Sequence, residues 1–275
     1  MKLGRCLRFA AAALWVGSLL LVAIGPARAQ APAYDLARDW SLEGTPFKGL
    51  PFGPDYAWSV CAVQFKPDLK WEPFDRAMHF TVSNPWLDLY GIDGWWLGSS
   101  PVARKPMAGK SVGQGNIPGM VHGVNYDWPV GTVGVFSWPE SDQTKGERPV
   151  TAVVWTAPRA MQISVAGGIW MAGQYLTTAE RRSLAMMWIN RASAGSGDPN
   201  EIIFKDVAVP LWTEGYGSAH PEPFAQILGN QASRLERVKV EKGDRIAVGF
   251  YWDAKAAKPG LSGIDFKITE LRDTK

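Results

Sequence analysis

The chain has 275 residues, with 29 Lys and Arg against 26 Asp and Glu. Four of the basic residues (Lys2, Arg5, Arg8 and Arg28) lie in the first 29 positions, which contain no acid, so the remaining chain has 25 basic and 26 acidic residues and a net charge of −1. Its charges are scattered rather than arranged in a basic stripe, so no nucleic-acid partner is expected. Beyond residue 29 the single cysteine, Cys61, cannot form an internal disulfide.

The first 29 residues have the layout of a secretory signal peptide. A basic start is followed by the apolar run from Phe9 to Ile24 and by the small-residue site Ala27-Arg28-Ala29. This pattern predicts cleavage near Ala29-Gln30, a secreted or periplasmic protein, and one domain over residues 30–275. The alternative is a retained membrane anchor; after cleavage no membrane insertion is expected, because no later apolar run is long enough to span a bilayer.

The first part of the mature chain predicts few regular elements. We expect a short strand over Leu36–Leu42, a strand over Tyr56–Phe65, and shorter strands over Met78–Ser83 and Trp86–Tyr90. The segment from Gly91 to Tyr126 is rich in Gly and Pro and predicts a long loop. Loops of this length in a domain are often functional.

From Thr132 onward, runs of β-branched and aromatic residues alternate with turns rich in Gly, Pro, Asp and Asn. Such closely spaced strands predict an all-β fold, an antiparallel β-sandwich of jelly-roll (galactose-binding-like) type with long loops. The predicted strands cover Thr132–Trp138, Val150–Thr156, Met161–Trp170, Leu184–Arg191, Ile202–Val209, Arg234–Val240, Ile246–Trp252 and Gly263–Leu271. Gly243-Asp244 has the composition of a tight hairpin turn.

Two of these segments resemble a known family. The run from Pro149 to Pro158 (PVTAVVWTAP) is similar to the "vavrWtaP" strand of a bacterial secreted jelly-roll domain family, and the run from Val238 to Ile246 (VKVEKGDRI) is similar to its "v.V..GD.I" turn. The resemblance implies a galactose-binding-like sandwich found beside carbohydrate-active proteins. It also implies that a structural calcium ion is an open alternative, although no cofactor is expected from the residues themselves.

The candidate ligand site lies in the predicted loop and at its far end. Two adjacent Trp beside acidic residues are suited to stacking on a sugar ring while carboxylates accept hydrogen bonds from its hydroxyls. The alternative is that one Trp packs under the loop and Asp93-Gly94 forms a turn. The candidate ligand-binding residues are Trp95, Trp96, Asp88, Asp93, Asp127 and Trp128.

A second candidate loop contains Glu214-Gly215-Tyr216 and His220. The three histidines are far apart in sequence and have no metal-ligand spacing, so the metal content stays open. No catalytic residue is assigned. A glycoside hydrolase would need two acids to converge across a cleft, and the acids available for that are Asp88, Asp93, Asp127, Glu140 and Glu214.

Three functions therefore remain. The leading hypothesis is a secreted, non-catalytic binding module for carbohydrate, with a glycan or an envelope component as partner. The first alternative is a structural or assembly protein of the cell envelope or matrix, and the second is a glycoside hydrolase or related enzyme. The oligomeric state is left open.

Overall fold

A computed structural model describes residues 34–41, 52–64, 71–73, 77–79, 92–97, 107–112, 124–136, 149–175, 182–192, 201–211, 214–253, 255–256 and 260–272. Within these ranges the strands are β1 (Tyr34–Asp35), β2 (Trp58–Gln64), β3 (Trp71–Pro73), β4 (Ala77–His79), β5 (Ile92–Leu97), β6 (Met107–Ser111), β7 (Val124–Tyr126), β8 (Val133–Phe136), β9 (Pro149–Thr156), β10 (Met161–Met171), β11 (Gly173–Tyr175), β12 (Ser183–Asn190), β13 (Glu201–Ala208), β14 (Glu222–Pro223), β15 (Val238–Val240), β16 (Arg245–Trp252) and β17 (Leu261–Glu270). The helices are α1 (Leu36–Asp39), α2 (Phe224–Leu228) and the 3₁₀ helices Pro54–Tyr56 and Gly229–Leu235.

The strands form two main antiparallel sheets. The first sheet has the order β14-β10-β17-β8-β6-β5-β4, with β1 also paired to β17 and β15 to β10. The second has the order β13-β12-β16-β9-β2-β3, and β7 and β11 make a separate pair. The chain crosses between the two sheets repeatedly, as from β8 to β9, from β9 to β10, from β15 to β16 and from β16 to β17. The predicted all-β antiparallel sandwich is confirmed.

The core lies between the two sheets. In β9 every residue from Val150 to Trp155 is buried, as expected for a central strand covered on both faces. Aromatic rings join the layers edge to face: Trp58 of the second sheet lies 5.2 Å from Phe266 of the first, and Tyr34 lies 5.4 Å from Trp155. Such contacts stabilise the sandwich beyond the area that they bury.

A second apolar cluster covers the outer face of the first sheet. It contains Trp128, Trp170, Ala172 and Leu261, with Phe136 packed against it. Trp170 lies so close to Gly263 that a Cβ atom at that position would come within 1.9 Å of the indole ring. The strand pairing also sets glycines opposite one another across four strands, at Gly94, Gly109, Gly134 and Gly263.

Three predicted elements are corrected. The strand expected over Leu36–Leu42 is wrong, because Asp35 caps α1 by accepting hydrogen bonds from the N–H groups of Ala37 and Arg38. The segment from Gly91 to Tyr126, predicted to be a long loop, contains β5, β6 and β7 instead, and Gly94 and Gly109 lie in strands. The first residues of Arg234–Val240 are 3₁₀ helix, and Trp86–Tyr90 lies outside the described residues.

The turn at Gly243-Asp244 forms, but it does not close a hairpin. Gly243 has a φ of 89°, a conformation that favours glycine, and the Asp244 N–H donates to the Glu241 carbonyl at 3.0 Å. The strands on either side belong to different sheets, because β15 pairs with β10 and β16 with β9 and β12. The turn therefore carries the chain from one layer to the other.

Residues 31–275 form one compact unit. Among the residues that the structure describes, no helix has both the length and the apolar character needed to cross a membrane.

Candidate functional site

The predicted pair Trp95 and Trp96 lies in a strand rather than in a loop. In β5, Trp95 pairs with Ala108 and Trp96 pairs with Met107. Successive positions of a strand belong to opposite faces of the sheet, so positions 95 and 96 do not share a surface. For these residues and for Asp93 only the backbone is described, and Asp88 lies outside the described residues.

Trp128 does not line an open groove, which corrects that prediction. Its ring is only 2% exposed and packs over Gly134 in the outer apolar cluster. Its indole N–H donates to the carbonyl of Thr132 at 3.0 Å. The turn that follows it, closed by the Thr132 N–H and the Pro129 carbonyl, folds the ring back onto the sheet.

Asp127 connects the two candidate loops. Its carboxylate accepts hydrogen bonds from the Ser218 N–H at 2.6 Å and the Ser218 hydroxyl at 2.5 Å. Its backbone carbonyl accepts one from the Trp170 indole at 3.0 Å. Asp127 thus anchors the loop of residues 214–222, a role in structure that the sequence did not indicate.

The described acids of that loop are Glu214 and Glu222, whose charges interact. Glu214 accepts a hydrogen bond from the Leu211 N–H at 2.9 Å, and His220 is exposed with only its backbone paired to Gly217. Glu222 is half-buried, and burial followed by the nearby Glu214 carboxylate raises its pKa above the ordinary value. The described residues contain no group of three or more His, Cys, Asp and Glu suited to a metal ion.

The structure reveals another candidate surface around Tyr56, which we call the Tyr56 loop (residues 52–58). Tyr56 is 75% exposed, and no other aromatic side chain among those described is exposed to this degree. By contrast, six described tryptophans are buried: Trp40, Trp58, Trp128, Trp155, Trp170 and Trp188. Most of the tryptophan side chains that the structure describes therefore serve the packing of the sandwich.

Backbone hydrogen bonds fix the shape of the Tyr56 loop. Phe52 and Trp58 exchange two bonds at 2.7 and 3.0 Å, and the Tyr56 and Ala57 N–H groups each donate to a carbonyl three residues earlier at 3.1 Å. At its base Gly53 packs against Trp58 and Asp39. The loop therefore presents Tyr56 from a closed frame.

The backbone at the tip of this loop is unusual. Asp55 and Tyr56 have φ angles of 55° and 51°, in the left-handed region that bulky residues rarely adopt. Such conformations cost on the order of 1–2 kcal/mol per residue and concentrate at functional sites. Glycine would remove this cost, so the presence of tyrosine calls for an explanation other than loop geometry.

Polar groups lie around Asp55, the residue that precedes Tyr56. The Tyr34 hydroxyl donates to Asp55 at 2.9 Å, and burial followed by this hydrogen bond raises the pKa of Tyr34 to about 12. Arg159 donates to both carboxylate oxygens of Glu270, at 2.7 and 2.6 Å. The charges of Arg159 and Glu270 also influence the pKa of Tyr34, which places all four residues in one neighbourhood.

The sequence pattern does not identify this surface, because it predicts that a strand begins at Tyr56. The strand begins two residues later, at Trp58. The signal that was present is Gly53-Pro54-Asp55, a combination of residues typical of a turn. The turn could have been found from sequence, but the left-handed backbone at Tyr56 could not.

No family model and no curated protein sequence matches the chain. Among solved structures it is similar to the CBM22-1 xylan-binding domain from Paenibacillus barcinonensis, with a TM-score of 0.26 and 11% identity, covering 57% of this chain and 90% of that domain. A TM-score this low does not establish a common fold, so the ligand of that domain has no bearing on the site described above.

Proposed function

We propose that this protein is a secreted, non-catalytic binding module that holds a glycan against the exposed ring of Tyr56. One observation carries the proposal: a tyrosine that is 75% exposed stands on a closed loop in a strained backbone conformation. The ring is not needed to fill the core, and the strain is unfavourable for the loop. A contact between the Tyr56 ring and a ligand would explain both the exposure of the ring and the strained backbone.

Carbohydrate suits this surface better than a protein partner does. The apolar face of a sugar ring can lie flat on an aromatic ring, while its hydroxyl groups need charged or polar partners at the edge. Asp55 adjoins Tyr56 and provides such a group. Protein interfaces instead gather several aromatic and apolar side chains at their centre, and Tyr56 is the one exposed aromatic among the side chains described.

The structural alternative would use an unpaired sheet edge, and one edge of the second sheet, strand β13, is poorly suited to that use. Strand β13 contains register shifts against β12 and a left-handed residue, Asp206, with a φ of 57°. Bulges and charged residues of this kind protect edges from pairing with other chains.

Secretion and the jelly-roll family resemblance complete the proposal. Both derive from the sequence: the signal peptide over residues 1–29, and the motifs around Trp155 and Gly243-Asp244. Trp155 is buried and Gly243 forms a turn, so the motif residues act in the fold while the ligand surface lies elsewhere.

Retention of the secreted, purified protein on a broad panel of immobilised polysaccharides tests the proposal. We expect retention on at least one glycan, and its loss in Tyr56→Ala with the circular dichroism spectrum unchanged. Tyr216→Ala, which alters a half-buried tyrosine on the loop anchored by Asp127, is the control and should retain binding.

A second arm uses the double variant Trp95→Ala/Trp96→Ala. If this variant folds and loses retention while Tyr56→Ala keeps it, the ligand surface is at β5 and our placement is wrong. If no polysaccharide retains the wild-type protein, the glycan-binding function itself is refuted.

A further inference from the structure

The charged groups on β1, α1 and β17 are mostly paired within the protein; β1 and α1 contact the Tyr56 loop, and β17 pairs with β1. On β1 and α1, Asp35 accepts from the N–H groups that begin the helix, and Arg38 pairs with Asp39 at 2.6 Å. On β17, Lys267 pairs with Asp265 at 2.7 Å and Glu270 pairs with Arg159 at 2.6 Å. These groups have little remaining charge to offer a ligand.

Asp55 differs from them. It is exposed, and one carboxylate oxygen, Oδ2, accepts the Tyr34 hydroxyl. The other oxygen, Oδ1, has no hydrogen-bond partner among the described residues, and Asp55 forms no ion pair there. The phenol bond fixes the carboxylate in place. Among the described residues, Arg159 is near enough to interact electrostatically with Asp55, but it offsets only part of the Asp55 charge because it is paired with Glu270.

A fixed carboxylate beside a stacking ring has two consequences for a bound sugar. It accepts hydrogen bonds from hydroxyl groups, and bonds to a charged acceptor are stronger than those to a neutral one. It also repels a second carboxylate. Arg159 does not offset this repulsion fully, since both of its short contacts are to Glu270.

From this arrangement we infer that the Tyr56 surface selects neutral saccharides over saccharides that contain uronic acids, with Asp55 accepting hydrogen bonds from the ligand hydroxyls. This inference rests on the glycan-binding function proposed above. It adds a ligand class and a residue responsible for the choice.

Calorimetric titration with pairs of oligosaccharides of equal length tests the preference for neutral saccharides. Each pair has one neutral and one uronate member: galactotetraose with tetragalacturonate, and mannotetraose with tetramannuronate. We expect the neutral member of any pair that binds to bind roughly tenfold more tightly, because like charges a few ångströms apart repel appreciably even near the surface. The preference should shrink as salt is raised, since exposed charges are screened.

Two variants assign the preference to Asp55. Asp55→Asn should weaken binding of the neutral sugar and bring the two affinities together. Tyr34→Phe removes the hydroxyl that fixes the carboxylate but keeps the Asp55 charge, so it should weaken binding of the neutral sugar while the neutral sugar remains the tighter ligand. Glu241→Gln, an equal change of charge on the exposed part of the Gly243 turn, should behave as wild type.

Equal or tighter binding of the uronates by wild type would overturn the inference, as would a preference that Asp55→Asn leaves intact. In both cases loss of binding in Tyr56→Ala would still support glycan binding. If neither member of either pair binds, and the polysaccharide panel also fails, both proposals are wrong.

Discussion

Tyr56 shows how one residue can be unfavourable for the fold and still be retained. Tyr56→Gly should raise the free energy of unfolding by about 0.5 kcal/mol. Glycine removes the cost of about 1–2 kcal/mol for the left-handed conformation, but its greater conformational freedom stabilises the unfolded chain and offsets part of that gain. Denaturant titration measures this change. A loss of stability above about 1 kcal/mol would mean that the ring packs in the fold.

Asp244 represents the opposite case, a buried carboxylate that serves stability. Burial alone would raise its pKa, but hydrogen bonds from the Ala192 and Glu241 N–H groups and from Arg191 together hold the pKa below its ordinary value. A lowered folded-state pKa stabilises the protein above the unfolded pKa, and that contribution is lost as the pH falls through the folded value.

We therefore expect Asp244→Asn to lower the free energy of unfolding at pH 7 by about 2 kcal/mol. The variant should also lose less stability than wild type when the pH falls below about 4, where an unfolded aspartate protonates. Urea denaturation at several pH values measures both effects. Glu241→Gln on the same turn is the control, and parallel pH profiles for wild type and Asp244→Asn would contradict the account.

At the level of elements, Trp170 can pack closely on the outer face of the first sheet because residue 263 is a glycine. Gly263→Ala should destabilise the protein by about 1–3 kcal/mol, because its Cβ would overlap the ring of Trp170. In a Trp170→Leu background the same change should cost less. Thermal denaturation of wild type, the two single variants and the double variant gives the coupling energy between positions 170 and 263. If Gly263→Ala destabilises the protein equally in both backgrounds, overlap with the Trp170 ring is not the cause of the destabilisation.

The loop of residues 214–222 depends on a different kind of contact. Asp127→Ala removes both bonds to Ser218 and should increase hydrogen exchange of residues 215–220 by roughly tenfold or more, since bonds to a charged group contribute about 1.5–3 kcal/mol. Ser218→Ala removes one of the two bonds and should give a smaller increase. Unchanged exchange in Asp127→Ala would mean that other contacts hold the loop.

Elements with a regular pattern were predictable from the sequence, and those made by local hydrogen bonds or long-range packing were not. The alternation in Val150–Thr156 and Ile246–Trp252 located β9 and β16 within one residue. Helix α1 was missed because a single capping aspartate outweighed the strand-like run after it. The strands between Gly91 and Tyr126 were not predicted because glycine is typical of turns, whereas Gly94 and Gly109 lie opposite each other in paired strands.

For the site, composition indicated a function but not a position. Thirteen tryptophans follow the signal peptide, and this excess suggested a stacking platform. The described ones are mostly in the two apolar clusters, where they join or cover the sheets. The exposed aromatic is a tyrosine whose significance depends on backbone angles, and no residue pattern in one sequence specifies those.

At the level of the whole molecule, the two packed sheets provide a rigid frame whose connecting loops can vary without loss of the core. Tyr34 of β1 donates a hydrogen bond to Asp55 of the Tyr56 loop, and the charges of Arg159, after β9, and Glu270, at the end of β17, act on it, so four separated parts of the chain come close together. This convergence is what the glycan-binding account requires.

Calorimetric titration of wild type, Tyr56→Ala and Tyr56→Phe with an oligosaccharide of the polysaccharide that retains the protein tests that account most directly. Stacking energies of about 0.5–1.5 kcal/mol per aromatic contact, together with the buried area, predict at least tenfold weaker binding for Tyr56→Ala and near wild-type binding for Tyr56→Phe. Equal affinities for all three proteins would show that the glycan binds elsewhere and would contradict the account.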